Sequence, residues 1–180
     1  QSVSTPLIGL GQPGLTSYEP AFADELAVIM SWGFEHMQAT DGGSVYLRLS
    51  TRTIDQPQRA DAGTLANDIV AGGYWLKPPA PGAELAIAYS GAVAPEALAT
   101  YGQVLEDIPG TGLLAVPSPD RLYDNWQSGA TSHAERLLSA LAPDAALVTV
   151  LDGHPATLSW LGSVANHHTV SLGVDRFGQS

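Results

Sequence analysis

Periodicity along the chain predicts an α/β protein: a three-layer α/β/α unit on a mostly parallel sheet with one antiparallel edge strand, preceded by a second structural unit with a helix and a strand. Three observations predict it. From Leu85 onward, short apolar runs alternate with longer amphipathic stretches, the pattern of strands joined by crossover helices. Before that alternation, the extended piece Tyr74–Leu76 runs into Pro78-Pro79-Ala80-Pro81-Gly82, a turn no helix can traverse, which makes it an edge strand. The stretch from Thr53 to Asp68, with Asp55, Gln56, Pro57, Gln58, Arg59 and Asp61, has little periodicity and separates the two units.

The elements follow in order. Gln1 to Thr16 is rich in Ser, Pro and Gly and reads as loop. Pro20 to Gln38 reads as a helix, because Phe22, Leu26, Ile29, Met30, Gly33 and Met37 recur at spacings of three and four. Pro20 suits its first turn, and Asp24 and Glu25 complement its dipole. Thr40-Asp41-Gly42-Gly43 stops it, and Val45, Leu47 and Leu49 then alternate with Tyr46, Arg48 and Ser50 as a half-buried strand. Beyond Gly72-Gly73, Leu85–Tyr89 reads as strand, Pro95–Ile108 as helix, Gly112–Val116 as strand, and Asp120–Gln127 and Ser132–Leu141 as helices. Ser132 and Glu135 form a capping box ahead of Leu137, Leu138 and Leu141. Ala146–Leu151 reads as a buried strand, Ala156–Val164 as a helix and Thr169–Val174 as a last strand.

Composition excludes several classes of function. The 180 residues include no cysteine, which removes disulfide scaffolds, Cys-based zinc sites, iron–sulfur clusters and cysteine nucleophiles. Lys and Arg number 7 against 18 Asp and Glu, a formal net charge of -11, which disfavours nucleic acid and anionic membranes as partners. No stretch approaches the ~18 apolar residues of a membrane span, and no signal peptide is legible, so a soluble cytoplasmic protein is expected. Gln1 is not an initiator methionine and the chain stops at Phe177-Gly178-Gln179-Ser180, so a fragment is expected too.

Candidate motifs are few. Gly9-Leu10-Gly11-Gln12-Pro13-Gly14 fits the dinucleotide pattern, but no strand feeds it and a proline sits inside it, so it reads as loop. His167 and His168 are adjacent and would point to opposite faces of a strand, and His154 stands apart, so no metal site is expected. His133 is expected to be exposed on a first helical turn. No G-x-S-x-G elbow supports a serine hydrolase. Asp152-Gly153-His154 follows a buried strand, where open α/β sheets place ligand loops, and is read as a structural turn or a site. Arg48 and Arg52 stand out among so few cations. Arg52, at a strand's carboxyl end, could hold an anionic substrate group or form a surface ion pair. Trp32, Trp75, Trp126 and Trp160 read as core or interface aromatics.

Two segments carry a family resemblance. Ser17-Tyr18-Glu19-Pro20-Ala21-Phe22-Ala23-Asp24-Glu25-Leu26-Ala27-Val28-Ile29-Met30 and Gly173-Val174-Asp175-Arg176-Phe177-Gly178-Gln179-Ser180 resemble the thiamine-diphosphate enzymes of the transketolase superfamily. The first looks most like the homodimeric decarboxylating component of pyruvate dehydrogenase complexes; Leu49-Ser50-Thr51-Arg52 and Gly72-Gly73-Tyr74 lie between in the matching order. The resemblance implies that residues 1–53 are the C-terminal remnant of a pyrimidine-binding domain, 54–71 a linker and 72–180 most of a transketolase-like C-terminal domain. That domain would serve dimer packing and active-site framing. It implies thiamine diphosphate and Mg²⁺ as cofactors of the parent enzyme, with their binding motifs upstream of Gln1, and hence neither catalytic nor cofactor-binding residues in this chain. A homodimer, and an acyltransferase component as partner, are implied as well. Arg52 matches the transketolase arginine that holds a sugar phosphate, although Thr51 intervenes where transketolase runs Ser directly into Arg. Two alternatives stand beside this reading: a transketolase moving ketol units between sugar phosphates, and a noncatalytic α/β dimerisation or anion-binding domain with its anion at a helix beyond Gly178-Gln179-Ser180.

Overall fold

A computed structural model describes residues 3–56, 62–129 and 131–176. Its larger sheet has strands β3 (Tyr74–Lys77), β4 (Ala83–Ser90), β5 (Gly112–Ala115), β6 (Leu141–Leu151) and β7 (His168–Leu172), in the spatial order β3-β5-β4-β6-β7. All neighbours are parallel except β3, which pairs antiparallel with β5 at the edge. The expected α/β class, with a mostly parallel sheet and one antiparallel edge strand, is what the chain adopts.

Alternation along the strands feeds two cores. Ala86, Ala88, Leu114, Leu147 and Leu151 pack with α5 (Pro119–Gln127), α6 (His133–Leu138), α7 (Ala156–Ser159) and α8 (Leu161–Val164) through Leu122, Leu137, Leu158 and Leu161. Ile87, Tyr89, Leu113 and Ala115 pack on the other side with α2 (Ala23–Gln38), α3 (Ala66–Ala71) and α4 (Ala94–Asp107), through Ile29, Ile69 and Ala97. Helices on both faces are what strands buried on both sides require.

The N-terminal stretch forms a second, two-stranded parallel sheet: β1 (Leu15–Tyr18) pairs with β2 (Ser44–Leu47), and α2 crosses between them. This corrects the loop expected over 1–16, because α1 (Thr5–Gly11) and β1 lie within it. Strand β1 exists through its pairing with β2, so no local pattern announces it. The Gly9–Gly14 motif is no nucleotide loop, since Gly9 and Gly11 lie inside α1 and a strand follows rather than precedes it.

Helix α2 starts at Ala23, three residues later than its periodicity suggested. The buried Glu25 carboxylate accepts the N–H groups of Ala21 (2.7 Å) and Phe22 (2.8 Å) and the Tyr74 hydroxyl, which holds Phe22 in an extended conformation. The Ser132 capping box forms as expected, but α6 ends at Leu138 and Leu141 opens β6 instead. The stretch expected as one helix over 156–164 divides into α7 and α8 at Trp160. Arg59 and Asp61 of the expected linker, and Phe177–Ser180 with the helix expected beyond, lie outside the described residues, while the end of that expected linker forms α3, which buries Ile69. Among those described, no helix is long and apolar enough to cross a membrane.

The small sheet is fastened to the large one by Asp120, which is 2% exposed in the first turn of α5. Its carboxylate accepts the Ser17 N–H (2.7 Å), the Ser17 hydroxyl (3.0 Å) and the Arg121 N–H (2.8 Å). Gly9 of α1 lies so close that a Cβ there would come within 2.5 Å of Asp120 Oδ2 and 2.2 Å of Ser17 Oγ. Asp120→Ala, which strands these buried donors, is expected to cost about 2–4 kcal/mol of stability, and Gly9→Ala about 1–3 kcal/mol by overpacking. Urea unfolding midpoints of the two variants check both values; an unchanged midpoint for Asp120→Ala would remove it as the fastening point.

Candidate functional site

The chain leaves β4 toward α4 and β5 on one face, and leaves β6 toward α7 and β7 on the other. The carboxyl ends of β4 and β6 therefore form the point where connections diverge, the place at which open α/β sheets bind ligands. A cleft of about 960 Å³ opens there, lined by Ala92 and Val93 after β4, Leu151 and Asp152 at the end of β6, and Arg48 to Arg52 after β2.

Its floor is an ion cluster. The Arg48 guanidinium donates through Nη1 to Glu19 Oε1 and through Nη2 to Asp152 Oδ2 at 3.3 Å. Glu19 comes from the β1–α2 connection, Arg48 from the end of β2 and Asp152 from the end of β6, so three segments meet at one cation. The Glu19 carboxylate also accepts the Ala92 N–H. It presses so close to the β4–α4 turn that a Cβ on Gly91 would meet Oε1 at 2.2 Å, and Gly91 has a φ of +63° that side chains rarely adopt. Burial pushes the Glu19 carboxyl above its usual range, and the Arg48 hydrogen bond and charge oppose that rise only in part. Burial also works against the Arg48 charge, but Glu19 and Asp152 outweigh it and raise the guanidinium's pKa.

Arg52 lies on the rim. Its Nη1 meets Glu96 Oε1 at 2.7 Å, with both side chains about half exposed (50% and 55%). The fold thus brings Arg48, Arg52 and Asp152 around one cleft. The rest of Asp152-Gly153-His154 is structural: Gly153 packs against Pro6, and His154 Nδ1 accepts the Ala156 N–H at 3.2 Å. Sequence reasoning assigned no site role to Glu19 or Glu96, two acids among 18. The one available signal was position: Glu96 falls in the first turn of a helix that follows a strand's carboxyl end.

His133 corrects an expectation. It is buried rather than exposed, with Nε2 2.6 Å from the Gly73 carbonyl and Nδ1 3.1 Å from Arg136 Nη2. Since the guanidinium can only donate, Nδ1 accepts and Nε2 carries the proton to Gly73. His167 is buried and His168 exposed, and only His168 lies in β7. Trp126 stacks on Trp160 and Trp32 on His36, while Arg121 lies over the Trp32 ring. Among the described residues, no three His, Asp or Glu side chains gather as a metal requires. The described residues therefore do not fit Mg²⁺ carrying a cofactor diphosphate.

No protein-family model and no curated protein sequence matches the chain. Solved structures do. A transketolase from Pichia stipitis in complex with sedoheptulose-7-phosphate superposes with a TM-score of 0.70 at 20% identity, over 99% of this chain and 23% of that one. The fold is that of the C-terminal part of transketolase. The transketolase of Campylobacter jejuni gives 0.67 at 19% identity, over 100% of this chain and 24% of its own. A split-gene transketolase described as an inactive beta4 tetramer gives 0.68 at 19%, with 55% of its chain covered. The chain spans about a quarter of the length of the first two and about half of the third.

Within this transketolase-type fold, Glu19 binds its proton more tightly than an unfolded glutamate does. Its charged form therefore costs stability, and the cost sets in as pH rises through the raised folded value. Arg48 limits that cost. Arg48→Ala is expected to destabilise the chain by about 3 kcal/mol near neutral pH, and the gap from wild type should narrow toward mild acid, as Glu19 takes up its proton and the buried charge that Arg48 offsets is lost. Denaturant unfolding at the two pH values checks this; a gap independent of pH would mean that Glu19 is not what Arg48 stabilises.

Proposed function

We propose that this chain is the C-terminal part of a thiamine-diphosphate-dependent enzyme of the transketolase superfamily. In this reading, residues 1–53 end a pyrimidine-binding domain, 54–71 link, and 72–180 form the C-terminal domain of a cytoplasmic homodimer. The observation that carries the reading is coverage: whole-chain superposition on proteins about four times longer. Exposed apolar surface supports it. On α2, Met30, Phe34 and Met37 are 40%, 56% and 49% exposed, and Val170 and Leu172 lie open on β7. Surface of this kind suits a larger protein that covers it. The chain's own part would be packing and framing of the active-site entrance, with thiamine diphosphate and Mg²⁺ held by segments outside it.

Two reactions fit. The Ser17–Met30 segment favours a 2-oxoacid decarboxylating component of the pyruvate dehydrogenase kind, with an acyltransferase as partner. The transketolase neighbours favour ketol transfer between sugar phosphates equally well. Arg52 separates them. In the full-length protein, Arg52→Gln should raise KM for a sugar phosphate roughly tenfold or more if the enzyme is a transketolase, through loss of a charge-assisted contact, and should leave 2-oxoacid turnover nearly unchanged if it is a decarboxylase. Steady-state kinetics on both substrates decide. The 180-residue chain alone is expected to give no heat on titration with thiamine diphosphate and Mg²⁺ in a calorimeter; stoichiometric, Mg²⁺-dependent binding would overturn the division of labour proposed here.

A further inference from the structure

Among the described residues, five charged side chains line the cleft: Arg48 and Arg52 against Glu19, Asp152 and Glu96. Arg48 is committed, with a side chain only 14% exposed and both guanidinium nitrogens on carboxylates. Arg52 is different. It is half exposed and, among the described residues, meets one carboxylate, Glu96, which reaches it from the first turn of α4. A guanidinium fork binds phosphate or carboxylate oxygens equally readily in geometric terms. Glu96 is therefore a ligand of the one cation, among the described residues of the cleft, that could change partners. An exposed pair of this kind contributes little to stability, so it opens readily. While closed, it still subtracts from the affinity of anything that needs Arg52.

We propose that Glu96 is an internal competitor for Arg52: its carboxylate occupies the guanidinium in the ligand-free protein, and an anionic substrate group binds the cleft by displacing it. The proposal rests on the reading of Arg52 as a substrate residue and adds the regulation of that site. Two consequences follow from competition. Removing the Glu96 charge tightens the binding of any anion held by Arg52, by the fraction of time the internal pair is formed. Linkage also makes the effect reciprocal, so a bound anion frees the Glu96 carboxyl to titrate higher than it does beside Arg52. That carboxyl is held below its usual range chiefly by the Arg52 hydrogen bond.

The experiment titrates inorganic phosphate, and in a separate arm pyruvate, into the 180-residue chain at constant ionic strength. Binding is followed by amide chemical shifts in wild type, Glu96→Gln, Arg52→Gln and the double variant. Both residues are exposed, so the variants are expected to fold as wild type does. Glu96→Gln should bind phosphate about two- to fivefold more tightly than wild type, and the gain should vanish when Arg52 is also replaced. If wild type and Glu96→Gln bind equally while Arg52→Gln loses binding, the competitor is overturned and the role of Arg52 stands. If the double variant binds as well as Glu96→Gln, or if no protein binds either anion, both ideas fall. A larger gain for phosphate than for pyruvate would support phosphate esters as the ligand class, and the reverse would support 2-oxoacids.

Discussion

Arg48 sets what the rest of the cleft can be. It is one cation between two carboxylates, in a chain whose formal charge is already -11. Taking Glu19 and Arg48 out of water is costly, and their mutual attraction offsets that cost only because the geometry is close and Ala92 supplies a further donor to the carboxylate. The same contact accounts for Gly91, whose missing Cβ leaves room for the Glu19 oxygen. In a doubly wound sheet the turn after such a strand is where a ligand's anionic group would approach the backbone. Here the protein's own carboxylate fills that place. The open part of the cleft is displaced outward, toward Arg52 and Glu96.

The parts of this arrangement that were legible in the sequence are those carried by local pattern. The apolar run of β4, the periodic face of α4 and the Ser132 capping box each declare themselves within a few residues, and each forms. Arg48 and Arg52 were legible because cations are scarce. What escaped depends on distant pairing. Strand β1 is defined by β2, the start of α2 by Glu25 reaching back to Ala21 and outward to Tyr74, and the burial of His133 by the carbonyl of Gly73, sixty positions away. A histidine beside a capping serine looks exposed until the turn it packs against is known. Glu19 was invisible for the same reason, since nothing near it distinguishes a buried acid from a solvated one.

Two buried carboxylates join the small sheet to the large one in different ways. Asp120 belongs to the large unit and gathers donors from Ser17 of β1; Glu25 belongs to the small unit and gathers the hydroxyl of Tyr74 on β3. Each acid takes donors from its own segment, Arg121 N–H for Asp120 and the Ala21 and Phe22 N–H groups for Glu25, and its remaining acceptor capacity is filled from the other side. Residues 3–56 and the sheet that follows are thus joined by polar contacts as well as by the shared apolar core around Tyr18, Ile29, Tyr74 and Tyr89.

Charge bears on how such a cleft could recognise anything. Among the described residues, the five charged groups that line it sum to one excess negative charge, in a chain whose formal net charge is -11. An approaching anion gains nothing from the long-range field, which steers cations instead. Recognition of an anionic group at Arg52 must then be short-ranged, decided at contact by the exchange of one carboxylate for another ligand on the same guanidinium. Arg48 cannot take that part, because releasing it would leave Glu19 charged and buried without its cation. The division between a committed arginine on the floor and an exchangeable one on the rim follows from burial alone, and the position of Glu96 in the first turn of α4 decides what the exchangeable one must release.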